Sequence, residues 1–90
     1  MNQIHFDFRH IADEKAFYRQ FADKFAIEMA FGANLDALWD ALTGMIELPA
    51  RVTLYHLNSH KDKARFQAIL EVLQEAEIAT AGEFRVRLVD

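Results

Sequence analysis

Residues 31–44 read FGANLDALWDALTG, and this stretch combines a turn with the start of a short helix. Gly32 and Asn34 are typical of a turn, and Asn34 is a favourable N-cap because its side-chain oxygen can accept a hydrogen bond from the first helical turn. Large apolar residues then recur at helical spacing, at Leu35, Leu38, Trp39, Leu42 and Ile46. We predict that this helix ends at Gly44 and that Pro49 marks the following loop.

Three other segments alternate between apolar and polar residues or are rich in β-branched and aromatic ones. They lie at residues 4–9, 52–57 and 84–89. A period of two with β-branched and aromatic side chains is typical of strands with one buried face. The sequence therefore predicts three strands, one on each side of the short helix and one near the end of the chain.

Two further segments have helical periodicity. Phe17, Phe21 and Phe25 recur every four residues after Asp13, which is a suitable N-cap. An apolar stripe across residues 66–76 predicts a longer last helix, and Ser59 with Asp62 resembles a capping box before it.

The predicted order of elements is β-α-α-β-α-β. Helices between successive strands favour crossover connections and parallel pairing. We therefore expect an α/β fold with a small three-stranded parallel sheet, helices mainly on one face and a wetter opposite face. At 90 residues, the sequence predicts a single domain spanning residues 1–90.

The charge is distributed unevenly along the chain. Its 10 Lys and Arg and 14 Asp and Glu residues give a formal net charge of −4. Residues 25–50 contain no Lys, Arg or His, but they contain four acids, Glu28, Asp36, Asp40 and Glu47. Elsewhere acids and bases balance. These counts argue against a nucleic-acid partner bound through a basic footprint and against a polybasic membrane patch.

The remaining composition limits the kinds of site that the chain can carry. It contains no Cys, so it has no disulfide, thiol nucleophile or Cys-based metal site. It has no apolar run of the roughly 20 residues that span a bilayer, and its first residues lack the pattern of a signal peptide. A cytoplasmic location is therefore expected.

Asp36 and Asp40 are the most informative charges in the acidic segment. Four residues apart, they share a face of the predicted helix, where like charges cost a few tenths of a kcal/mol. No Lys or Arg in the segment offsets that repulsion. Charges on a short helix usually form no more than a solvated face. The missing cation nevertheless favours an acidic surface that meets a basic partner.

The run from Phe31 to Gly44, with Pro49 beyond it, resembles the signature of the barstar family, the intracellular inhibitors of barnase-type ribonucleases. Chain length and element order match the family as well. The resemblance implies a ribonuclease inhibitor that is not an enzyme, binds a basic ribonuclease of extracellular or toxin type one to one, and needs no cofactor or metal. It also implies that the Leu48–Pro49 peptide bond is cis.

The resemblance further implies which residues touch the enzyme. Asp40 would occupy the phosphate subsite as a phosphate mimic, and Asp36 would pair with basic residues beside it. Glu75 on the last helix would add a charge contact. The remaining contact residues would be Phe31, Gly32, Asn34, Leu35, Trp39, Gly44 and Met45. Most of the Trp39 ring is expected to pack in the core, with an edge supporting this surface.

Other functions remain open from the residues alone. Ala30 and Met45 stand where a well-known family member has aromatic rings, which favours a non-inhibitory interaction module for a different basic partner. A hydrolase using Asp36 and Asp40 would require a concave pocket around both. His56 and His60 have metal-ligand spacing, but a predicted change from strand to helix separates them.

Overall fold

The computed structural model describes residues 2–27 and 33–90. Three parallel strands form one sheet in the order β1-β2-β3: β1 is Asn2–Asp7, β2 is Ala50–Tyr55 and β3 is Phe84–Val89. Three α-helices accompany it: α1 is Glu14–Lys24, α2 is Leu35–Asp40 and α3 is Gln67–Ala79. The predicted α/β fold and its β-α-α-β-α-β order are confirmed.

The helices leave one face of the sheet uncovered. Crossovers between parallel strands are right-handed, and here both step in the same direction, from β1 to β2 and from β2 to β3. Such crossovers place their helices on the same side. Phe6, Val52 and Phe84 point to that side and are buried. Side chains on the alternate positions of each strand are exposed or half-buried.

Aromatic rings fill the core between the sheet and α1. The Phe17 ring lies 4.9 Å from Phe6, and the Phe8 ring lies 5.0 Å from Phe66. Phe21 stacks beside Phe6 at 6.4 Å. Every fully buried residue in the described part of the chain is apolar. The core therefore holds the helical layer to the sheet through dispersion and the hydrophobic effect.

The predicted start of α1 is confirmed, but that of α3 is wrong. The Asp13 carboxylate accepts a hydrogen bond from the backbone N–H of Ala16 at 2.9 Å. Ser59 and Asp62 do not cap α3, because a 3-10 turn at Lys63–Phe66 comes between them and the helix. The helix begins only at Gln67 and has no side-chain cap.

The segment after α2 ends differently from the prediction. The chain continues through a π-helical turn, Ala41–Met45, and becomes extended at Ile46. Gly44 therefore lies within the helical segment instead of ending it. The Leu48–Pro49 peptide bond is cis, as the resemblance implied. Within residues 2–27 and 33–90, no helix combines the length and the apolar character that crossing a bilayer requires.

Candidate partner-binding site on the acidic helix

Helix α2 has a buried side and an exposed acidic side. Leu38 is 0% exposed, and so are Ala41 and Leu42 in the turn that follows. Asp36 and Asp40 are exposed. Because residues four apart on a helix are neighbours, with Cβ atoms roughly 5–6 Å apart, the two carboxylates form one acidic edge. The apolar side fixes this edge to the body of the protein.

Asn34 determines where the acidic helix begins. Its Oδ1 accepts a hydrogen bond from the Ala37 backbone N–H at 2.8 Å, and its backbone carbonyl accepts one from Leu38 at 3.0 Å. The predicted N-cap is thereby confirmed. Asp36 follows in the first helical turn, where the helix dipole favours a negative charge. The cap therefore fixes the direction of the helix and the position of Asp36.

The π-helical turn closes the other end of the site. The Ile46 backbone N–H donates to the Ala41 carbonyl at 3.0 Å, and the Thr43 hydroxyl donates to the Trp39 carbonyl at 2.8 Å. Gly44 lies on this turn, and a Cβ atom added there would meet nothing within 4 Å beyond its chain neighbours and the backbone of its own helical turn. The fold therefore does not require glycine at position 44, whereas a partner approaching closely would benefit from it.

Neither aspartate of the acidic edge has an ion-pair partner in the described parts of the chain. Asp36 borders a shallow groove beside α1 and α3, lined also by Leu35, Tyr18 and Ile69. Burial raises the pKa of the Tyr18 phenol, and the nearby Glu14 charge raises it further. The phenol therefore stays neutral at physiological pH. Asp40 does not line this groove, so the two carboxylates do not share it as a pocket.

Residues 1–89 match the family model described as Barstar (barnase inhibitor). The chain belongs to the barstar family. It is similar to a Bacillus subtilis (strain 168) protein named "Putative ribonuclease inhibitor YrdF", with 33% identity over 93 residues that cover 96% of this chain and 97% of that protein.

The residues predicted to form the barstar-family contact differ in exposure. Leu35 is 38% exposed and Met45 is 60% exposed, whereas Trp39 is half-buried and packs against the core. Glu75 is exposed on α3, which packs against α2. Phe31 and Gly32, as well as Glu28 and Ala30, lie outside the described residues. The described members of the set therefore include apolar and acidic side chains that solvent can reach.

The two histidines with metal-ligand spacing have different roles in this barstar-family chain. His60 Nδ1 accepts a hydrogen bond from the Asp62 backbone N–H at 2.9 Å, so the proton is on Nε2. His60 Nε2 then donates to the Ile11 carbonyl at 2.8 Å. His56 lies just after β2, with a φ of 63°. Throughout the described ranges, no group of three potential metal ligands comes together.

Proposed function

We propose that this chain inhibits a basic ribonuclease by inserting Asp36 and Asp40 into the enzyme's active site, with Asp40 as the phosphate mimic. The observation that carries the proposal is the pair of exposed carboxylates, which form no ion pair within residues 2–27 and 33–90, on a helix anchored by a fully buried Leu38. Membership of the barstar family, described as barnase inhibitors, supports ribonuclease inhibition in general. The relative's printed name supports it too.

The chemistry of the target explains why a carboxylate would inhibit it. A ribonuclease active site holds cationic hydrogen-bond donors where the RNA phosphate becomes more negative in the transition state. A carboxylate presented to those donors forms short, charge-assisted hydrogen bonds and competes with RNA. Because α2 is fixed before the complex forms, little conformational entropy is lost on binding.

The surrounding residues would give the complex its shape. Leu35 and Met45 are exposed apolar side chains on either side of the acidic edge, and Gly44 permits close approach. Glu75 would add a further carboxylate from α3. In this proposal one inhibitor blocks one enzyme, because α2 presents a single acidic edge.

A direct test is to add the purified chain to barnase and to follow cleavage of a fluorogenic ribonucleotide. We expect the cleavage rate to fall in proportion to inhibitor added, until about one chain per enzyme is present. Full cleavage activity at saturating inhibitor, with binding shown by calorimetry, would contradict inhibition of this enzyme.

Salt dependence provides a second prediction. We expect the association rate with barnase to fall at least about tenfold between low and high ionic strength, because screening weakens attraction between opposite charges. Stopped-flow measurement at a series of salt concentrations checks this. An association rate independent of salt would count against an acidic edge that meets a cationic site.

Gly44→Ala is expected to change the affinity for the ribonuclease without lowering the stability of the fold. The added methyl group meets nothing within 4 Å beyond its own helical turn in the free protein, so we expect the unfolding free energy to remain the same or to rise by up to about 1 kcal/mol. Binding to the ribonuclease should weaken about tenfold if the methyl group overpacks the interface. Urea denaturation and calorimetry measure the two effects. Unchanged affinity would remove Gly44 from the proposed contact.

A second candidate function is a non-inhibitory module whose acidic edge binds a different basic protein. The observation that favours it is Met45, 60% exposed at a position where a well-known family member has an aromatic ring. The cleavage assay distinguishes the two functions. A basic ribonuclease that binds the wild-type chain but not Asp40→Ala, and keeps its activity in the complex, would establish the module.

A further inference from the structure

The uncovered face of the sheet carries a second set of exposed and half-buried side chains, three of which are arginines. The strand register aligns them in three rows across β1, β2 and β3. The rows are Gln3–Arg51–Arg85, His5–Thr53–Arg87 and Asp7–Tyr55–Val89. We name these nine residues the open sheet face. Three arginines therefore lie within two adjacent rows, on two adjacent strands.

The arginines of the open sheet face are not neutralised within the described chain. Arg51 and Arg85 are Cα partners on neighbouring strands, a position where like charges repel. The face has one acid, Asp7, and its carboxylate is already held by Arg9 at 2.7 Å. No ion pair involving the three arginines occurs in the described ranges, although Glu83 and Asp90 flank β3.

The other side chains of this face include aromatic rings and polar groups that can stack on nucleobases and hydrogen-bond to them. The rings of His5 and Tyr55 lie edge to face with centroids 5.9 Å apart, and Tyr55 is half-buried and therefore held in place. Aromatic rings and guanidinium planes on a sheet are platforms for stacking unpaired bases. Gln3 and Thr53 add hydrogen-bond donors and acceptors to the same face.

We infer that the open sheet face binds single-stranded nucleic acid, with Arg51, Arg85 and Arg87 on the phosphates and Tyr55 stacked on a base. The sequence predicted no nucleic-acid partner because acids and bases balance outside residues 25–50. A count of charges says nothing about where they lie in the fold. The pairing of β2 with β3 brings arginines 51, 85 and 87 together on one surface. The inference is independent of the proposed inhibition, because the acidic edge belongs to the opposite, helical layer.

The test measures fluorescence anisotropy of labelled ten-nucleotide uridine and thymidine oligomers titrated with the full chain. At physiological salt we expect a dissociation constant of roughly 1–100 µM, the usual range for non-specific binding. The slope of log affinity against log salt should be roughly −2, since each phosphate contact on a single strand contributes about −0.7. Binding of the uridine oligomer alone, the thymidine oligomer alone or both would support the inference.

Substitutions test whether the oligonucleotides bind at the open sheet face. We expect the triple variant Arg51→Gln, Arg85→Gln, Arg87→Gln to bind at least about tenfold more weakly and the corresponding lysine variant to retain most of the affinity. A matched control, Lys15→Gln, Arg19→Gln, Lys61→Gln, removes three exposed charges elsewhere and should weaken binding less. Tyr55→Leu should weaken binding about tenfold, while Tyr55→Phe should not.

Several outcomes would overturn the inference. One is equal loss of binding in the arginine variant and the lysine–arginine control, which would indicate a general charge effect. A second is equal competition by a glutamate decapeptide, which would indicate a docking face for acidic proteins. A third is no binding of either oligomer at 50 mM salt. None of these outcomes affects ribonuclease inhibition, which is measured separately.

Discussion

Asp40→Ala is expected to weaken binding to barnase at least about 100-fold and to leave the fold intact. Each hydrogen bond from a cationic donor to a carboxylate is worth about 1.5–3 kcal/mol, and a carboxylate in a phosphate site accepts two or more. Every 1.4 kcal/mol corresponds to a factor of ten. In the free chain, Asp40 is exposed and caps no backbone group. Its removal should therefore change the unfolding free energy by less than about 0.5 kcal/mol.

The matched control for Asp40→Ala is Asp23→Ala. Asp23 is also exposed on a helix, but it lies on α1, outside the acidic edge. Both variants remove one negative charge, so they lower general electrostatic attraction to a similar degree. Calorimetric titration should show a large loss for Asp40→Ala and a loss of less than about threefold for Asp23→Ala. Similar losses in both variants would refute a specific phosphate-mimicking role.

Leu38→Ala, unlike Asp40→Ala, is expected to lower the free energy of unfolding strongly. Leu38 is 0% exposed and belongs to the core that holds α2 in place. Replacing a buried leucine with alanine costs about 2–5 kcal/mol, since it removes apolar contacts and leaves a cavity. Urea denaturation should show this loss as a lower midpoint with an unchanged slope.

Leu35→Ala provides the comparison on the same helix. Leu35 is 38% exposed, so truncation should cost less than about 1 kcal/mol of unfolding free energy. The same change should weaken ribonuclease binding, because Leu35 is proposed to touch the enzyme. Equal stability losses for Leu35→Ala and Leu38→Ala would mean that the buried side of α2 is not what anchors it.

Local sequence patterns predicted most of the fold. The N-caps of Asp13 and Asn34 depend on backbone groups three residues away, and both occur. The alternation in the strands identified a buried face because strand side chains alternate strictly between the two faces. The helical spacing of the apolar residues after Asn34 placed Leu38 on the buried side of α2 and left Asp36 on the exposed side. These features depend on near neighbours along the chain, which a sequence displays directly.

Features that depend on distant contacts were not predicted. His60 is held by the Ile11 carbonyl, 49 residues away, and no spacing along the sequence indicated this contact. The 3-10 turn before α3 buries Phe66 in the core, which overrides the local capping signal of Ser59 and Asp62. The alignment of Arg51 with Arg85 depends on strand register. No pattern within one segment of the sequence indicates which residues lie side by side on neighbouring strands.

The one-sided helical layer also separates charge across the thickness of the protein. Asp36 and Asp40 lie in the helical layer, and the arginines at 51, 85 and 87 lie on the far side of the sheet. These five groups contribute a dipole component across the sheet that the net charge of −4 does not reveal. The field of a cationic protein exerts a torque on such a dipole, which turns the acidic helix forward during approach. Under the proposed inhibition, a larger fraction of encounters with the enzyme would then begin with the helix facing it.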